Sequence, residues 1–282
     1  MNSAYNLQTT IESRKSVRLY DDRPLSDEDK NLIVSYIDKT LEEPTPFKSK
    51  MRVHYIEAKP GTEIEKLGTY GVIKGTKTFL CVTTKDEEGE MEAIGYNFEK
   101  IVLYLTSIGI GTCYLAGTFK REQFLNAINV KDDEIFPIVC PIGYPKDGNS
   151  LINKIFRKVA KSDQRMKWDE IFFDGDFAHP LTKEKANEYE FPLEMFRLAP
   201  SAANKQPWRI VYKDNYFHFF KVDNPKSKYP YDLQKLDVGI ATCHFSLAAK
   251  DKSLNGEFIK LDNFDIDIPE GISYLYSWKM AI

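Results

Sequence analysis

Leu32, Ile33, Tyr36, Ile37 and Leu41 recur at the spacing of a helix with one buried face. Upstream, Pro24-Leu25-Ser26-Asp27-Glu28-Asp29 offers Ser26 as an N-cap and acids for the first turn, where unpaired N–H groups favour negative charge. Arg52–Ala58 and Thr78–Thr84 are rich in Val, Tyr, Phe and Thr and predict strands. Ile94, Phe98, Ile101, Val102, Leu105 and Ile108 predict a helix over 93–108 with a wide buried face. Gly109 and Gly111 can end it, so that TCYLAG becomes a strand or loop edge. A short helix over 121–128, a strand over 135–144 and a basic helix over 149–165 follow, and FFDGDFAHP is expected to be a linker.

The pattern then restarts. Pro180-Leu181-Thr182-Lys183-Glu184 echoes Pro24-Leu25-Ser26-Asp27-Glu28, and Trp208-Arg209-Ile210-Val211-Tyr212 echoes Met51-Arg52-Val53-His54-Tyr55. A helix and a glycine-ended turn follow in each half, Ile94 to Gly109 and Val238 to Gly256. The literal match of Gly109-Ile-Gly-Thr-Cys113 with Gly239-Ile-Ala-Thr-Cys243 is out of register, because the first follows its helix and the second begins one. The order of elements predicts a divergent tandem duplication, with repeats over 1–174 and 175–282. The fold class expected is α+β: two related halves, each a largely antiparallel or mixed sheet flanked by helices, packed as a pseudo-two-fold body.

Composition narrows the function. Of 282 residues, 42% are hydrophobic and 29% charged, enough apolar material for a sizeable core. A net charge of −3 argues against a general pull toward nucleic acid or anionic membrane. No run reaches a membrane span, and the N-terminus has no apolar core of a signal peptide, so a cytoplasmic protein is expected. Cys81, Cys113, Cys140 and Cys243 are widely spaced among apolar or small residues, which predicts buried reduced thiols and no zinc or iron–sulfur site. His54, His179, His218 and His244 have no metal-ligand spacing and are read as structural.

Two motifs stand above this background. Arg14-Lys15-Ser16-Val17-Arg18 places three cations and a hydroxyl together, suited to a cluster of anionic oxygens. Ala199-Pro200-Ser201-Ala202-Ala203-Asn204-Lys205-Gln206-Pro207-Trp208 stiffens a loop with two prolines, keeps it small, and supplies directed donors and acceptors. A solvated basic face and a capped helix-to-strand connector are the alternatives for the two segments.

RKSVRLYDDRPLS resembles the N-terminal signature of the FMN-dependent nitroreductase superfamily, and APSAANKQPWRIV is similar to its Pro-Ser-x-x-Asn-x-Gln-Pro-Trp loop. GIGTCYLAG resembles its glycine-rich segment beside the flavin, and Arg165 in SDQRMKWDEIFF its C-terminal phosphate-binding arginine. The resemblance covers nearly the whole chain, but the Pro-Ser loop lies in the second half rather than shortly after the Arg-x-Ser element. That order resembles a tandem branch in which one chain mimics the usual homodimer, and it implies a nitroreductase-like fold and a monomer.

Alignment of the halves explains the order. Pro44-Thr45 stands where Pro200-Ser201 does, Phe47 for Asn204, Ser49 for Gln206 and Lys50 for Pro207, so the first loop has lost its reading groups. Nothing before Pro180 resembles Arg14-Lys15-Ser16; that stretch carries Asp174 and Asp176, which would repel phosphate. The resemblance implies that Arg14, Ser16 and Arg165 hold the FMN phosphate and that Lys15 reaches the ribityl chain or ring. Lys74 is a second cation candidate for the ring. Pro200, Ser201, Ala202, Asn204 and Gln206 would serve the same flavin, and Leu115, Ala116 and Gly117 would offer backbone groups near N5. The flavin carries the chemistry, with no protein acid or base assigned as catalytic and no metal. The reaction implied is ping-pong reduction of a flat acceptor, a nitroaromatic or quinone, with NAD(P)H as transient donor. No Rossmann fingerprint is present to hold the nicotinamide separately. A non-catalytic flavin-binding or redox-sensing protein, and other flavin reactions on this fold such as ene reduction, dehalogenation or flavin fragmentation, remain open at this point.

Overall fold

The computed structural model describes residues 5–58, 68–146, 164–226 and 229–281. The expected basic helix over 149–165 falls almost wholly outside these residues. The chain forms two compact units, one of residues 13–160 and one of residues 1–12 with 161–282. They are called the N-terminal and C-terminal units below.

In the N-terminal unit, α2 (Asp27–Glu42) starts where the sequence places it, with the Asp29 N–H donating to Ser26 Oγ. Strands β1 (Arg52–Glu57), β2 (Thr78–Lys85), β3 (Gly111–Thr112) and β4 (Glu134–Gly143) form an antiparallel sheet in the order β1-β2-β4-β3. Helix α3 (Glu90–Ser107) lies between β2 and β3 in the chain and is buried along most of its length. Helix α4 (Arg121–Leu125) is shorter than expected; Ile128 N–H closes the following turn on Phe124 O. Phe79, Cys81, Phe124, Phe136 and Val139 make a core against which Val17 and Tyr20 pack. Helix α1 (Leu7–Ser13) belongs, but for its last residue, to the other unit.

The C-terminal unit carries β5 (Phe172–Asp174), α5 (Lys183–Ala186), α6 (Glu190–Arg197), β6 (Trp208–Lys213), β7 (Tyr216–Val222), α7 (Leu233–Asp251), β8 (Gly256–Ile259) and β9 (Ile272–Met280). The sheet order is β5-β6-β7-β9-β8. All pairs are antiparallel except β5 with β6, where Phe172 lies opposite Ile210. Asp214 and Asn215 turn β6 into β7 with φ of 50° and 64°, the paired left-handed geometry of a tight hairpin. Trp208, Phe196, Phe219 and Phe245 are fully buried and meet edge to face.

Omitting β5, the two sheets have one topology: first, second, fourth, third strand, with the long helix between the second and third in sequence. The expected linker FFDGDFAHP is instead the edge strand β5 and its turn. Phe172 is fully buried, and pairing with β6 satisfies backbone that a linker would leave to water. β5 thus belongs to the C-terminal unit, whose boundary lies at 160/161, while the repeat boundary is expected at 174/175. Gly239–Cys243 lies within α7, whereas Gly109–Cys113 follows α3. All four cysteines are buried. Among the described residues no helix is long and apolar enough to cross a membrane.

Candidate functional site

The Arg14–Tyr20 segment is threaded into the N-terminal unit by its backbone. Val17 N–H donates to Thr112 O at 2.8 Å, and Ser16 bridges Thr112 in parallel. Lys74 N–H donates to Arg18 O at 2.9 Å, and Tyr20 N–H returns to Lys74 O at 2.8 Å. Val17 and Tyr20 point inward, and the buried Tyr20 Oη donates to Pro141 O at 3.0 Å. Arg14 and Ser16 are half-buried and Lys15 is exposed. Lys74, the second cation candidate, is exposed and joined to this segment through its backbone.

Arg14 Nε is buried and has no hydrogen-bond partner. Cys113 reports its surroundings: burial pushes the thiol up, while Arg18, a hydrogen bond from Ser16 and Arg14 pull it down. Arg14, Ser16 and Arg18 therefore all act on one thiol, and the buried Arg14 Nε still lacks an acceptor. This arrangement suits an anion.

The segment after β3 differs in part from expectation. Leu115 is buried and exchanges both backbone bonds with Val139 at 2.9 Å, so its N–H is engaged within the sheet. Ala116 O accepts from Arg121 Nη2 at 3.5 Å, and Arg121 also reaches Phe136 O and lies over the Phe119 ring. Gly117 is exposed.

In the C-terminal unit the Pro200–Gln206 loop leaves α6 and enters β6. Ala203, Asn204 and Gln206 have φ of 52°, 55° and 48°, a left-handed backbone unfavourable for residues with a side chain. Asn204 N–H donates to Ser201 O, and Gln206 N–H to Ser201 Oγ at 2.9 Å. The side-chain amides fasten residues 164–166: Asn204 Nδ2 donates to Gln164 O at 2.7 Å, and Gln206 Oε1 accepts from Met166 N–H at 2.8 Å. Arg165 joins the same cluster, donating to Asn204 Oδ1 at 3.1 Å and to Leu198 O at 3.1 Å. The loop is thus a closed network around Arg165, a grouping its motif does not express.

Sequence reasoning missed one member. Ala202 N–H donates to Asp237 Oδ1 at 3.0 Å. Asp237 is buried on α7, its Oδ2 has no partner, and burial pushes its carboxyl up to about 7. An acid in the largely apolar run DVGIATCHF was the available signal.

The corresponding loop of the N-terminal unit is engaged differently. Phe47 packs edge-on against Tyr96 at 5.5 Å, and Ser49 and the Lys50 backbone bond Glu90. The acids Asp174 and Asp176 pair with Lys185 and His179. His54 meets Thr83, His218 meets Ser277 and His244 meets Met195 O, in keeping with structural roles. Burial holds the His218 imidazole neutral, near 4. A shallow surface depression on α2, lined by Asn31, Val34, Ser35, Asp38, Lys39 and Glu42, contains none of the expected site residues.

The family model described as "Putative TM nitroreductase" matches residues 6–249. The crystal structure of a "putative nitroreductase" of Thermotoga maritima is 20% identical, with a TM-score of 0.59, and the match covers 99% of this chain and 95% of that one. A "putative nitroreductase" of Desulfovibrio desulfuricans in complex with FMN is 19% identical over 54% of this chain and 96% of its own, with a TM-score of 0.40. One from Bacteroides fragilis with bound FMN is 19% identical over 52% of this chain and 91% of its own, also at 0.40. A search of curated proteins finds no match. The Thermotoga likeness establishes the fold, in agreement with the α+β, nitroreductase-like class expected from the sequence.

Proposed function

Since the chain belongs to the nitroreductase family whose model it matches over residues 6–249, we propose that it is an FMN-dependent oxidoreductase. It would use NAD(P)H to reduce a flat acceptor such as a nitroaromatic or a quinone. The observation that carries this reading is the buried, unpartnered Arg14 Nε in the segment that also carries Ser16 and Arg18. It is the environment a dianionic phosphate completes, since each charge-assisted bond it accepts relieves a buried donor.

Arg14 and Ser16 would hold the phosphate, as a planar cationic fork and a neutral donor. The bonds of Val17 to Thr112 and of Tyr20 to Lys74 fix the backbone that aims them. Lys15 and Lys74, both exposed, are the cations free to turn toward the ribityl chain or ring. When bound, FMN supplies the hydride chemistry, and the protein binds and orients it. Ala116 and Gly117 are the backbone candidates for the ring edge, without the Leu115 N–H. Ser201, Asn204, Gln206 and Arg165 would present a ready-made network, with the amides already oriented by residues 164–166.

The shared strand order of the two sheets supports tandem duplication. The motifs are divided between the repeats, Arg14-Lys15-Ser16 in one and the Pro-Ser loop in the other. On that division we expect one flavin per chain and a monomer. The test is the visible spectrum of the purified protein with an FMN titration of wild type and Arg14→Ala. Loss of one charge-assisted bond, about 1.5–3 kcal/mol, predicts roughly ten- to a hundred-fold weaker binding. A protein that neither carries nor binds FMN would refute the reading. Flavin reduction by NAD(P)H without turnover on any oxidant would instead favour a redox sensor.

A further inference from the structure

Each unit ties the loop that enters its sheet to an acid on its long helix, and the two ties differ. On α3, Glu90 is saturated: it accepts from Lys50 N–H at 3.0 Å, Ser49 Oγ at 3.2 Å and Thr84 Oγ1 at 2.6 Å. On α7, Asp237 accepts from Ala202 N–H at 3.0 Å, and its buried Oδ2 has no partner. A carboxylate with half its acceptor capacity unused is expensive to bury. Its retention at 3% exposure needs a reason beyond filling space.

The loop supplies that reason. Beyond Ala202, three non-glycine residues, Ala203, Asn204 and Gln206, hold left-handed backbone. Such conformations persist only where the surroundings over-determine them. The bonds from Asn204 and Gln206 to Ser201 are internal to the loop and move with it. The bonds to residues 164–166 join it to another non-helical segment. Asp237 ties it to a helix of 19 residues, packed against α6. It grips the residue immediately before the strained stretch.

We propose that Asp237 is a positioning residue: by holding the Ala202 N–H it sets the loop backbone that aims the Asn204 and Gln206 amides, and it governs ligand binding through the loop. The effect on binding rests on the FMN reading above; the effect on the loop does not.

Amide exchange of the apoprotein, resolved by residue, tests it alongside FMN affinity. Asp237→Ala removes the acceptor and is expected to speed exchange at Ala202–Gln206 at least tenfold while the amides of β6 and β7 stay protected. FMN affinity should fall by a similar factor. Asp237→Asn keeps a carbonyl acceptor and should restore most of both. Ala202→Pro removes the donor with Asp237 intact, and Ser201, at φ −144° and ψ 161°, already has the extended backbone required before proline. It should loosen Asn204 and Gln206 as Asp237→Ala does, and it serves where that variant fails to fold. Unchanged loop exchange in both disruptive variants, or an Asn variant as loose as the Ala variant, would overturn the proposal. If the wild type binds no FMN, the cofactor reading fails, and the exchange comparison still decides the role of Asp237.

Discussion

Gly75→Ala tests how the candidate anion segment is held. Gly75 has φ of +96°, and a Cβ there would lie 2.0 Å from Tyr20 O, 2.7 Å from Tyr20 C and 3.2 Å from Tyr20 Cα. All three are backbone atoms, so no side-chain rotation relieves the overlap, and the Arg14–Tyr20 segment must move. Gly71 is a matched control: its φ is +75° and a Cβ there meets nothing within 4 Å. A left-handed alanine alone costs about 1–2 kcal/mol. Displacing Tyr20 also strains its N–H bond to Lys74 O at 2.8 Å and its buried Oη bond to Pro141 O at 3.0 Å. Buried polar groups left unpaired cost about 1–3 kcal/mol each. Gly71→Ala should therefore lose about 1–2 kcal/mol and Gly75→Ala about 3–8 kcal/mol, the upper end if both bonds are lost. Urea unfolding followed by far-UV circular dichroism reads both, with equal slopes licensing the comparison. FMN affinity should fall in Gly75→Ala and hold in Gly71→Ala, because only the former moves Arg14 and Ser16. Equal destabilisation of the two variants would show that the segment yields freely and that its backbone does not aim the cations.

Asp237 has a folded-state pKa raised from 3.8 to about 7, so the native state binds the extra proton between those values. Stability should then decline as pH rises through that window, by about 4 kcal/mol if the whole shift is expressed, and level off above it. Asp237→Asn should abolish that slope, and an unchanged pH profile of unfolding would refute the assignment. Gln206→Leu strands the Met166 N–H and should cost about 1–3 kcal/mol in denaturant unfolding; a neutral effect would mean that the loop closes without its amide. Flavin content per chain, from absorbance against protein mass, should be one, and two would show that both repeats keep a working site.

What the sequence by itself determined was whatever depends on neighbours in the chain. Helices α2 and α3 and strands β1, β2, β4 and β6 follow from period and composition, because a buried face repeats every few residues whatever it packs against. Ser26 was legible as a cap for the same reason: its partner, Asp29 N–H, is three residues away. The Arg14–Arg18 and Pro200–Trp208 motifs stood out by residue type. Tertiary structure decided the rest. Phe172–Asp174 has no period of its own and is a strand only because Ile210–Tyr212 lies beside it. The N–H of Leu115 was a candidate donor until Val139 engaged it. The amides of Asn204 and Gln206 are oriented by residues some forty positions upstream, and Asp237 acts on Ala202 from 35 positions away. Hydrogen bonds are satisfied in space rather than along the chain, so a sequence shows which groups can bond while the packed fold selects their partners.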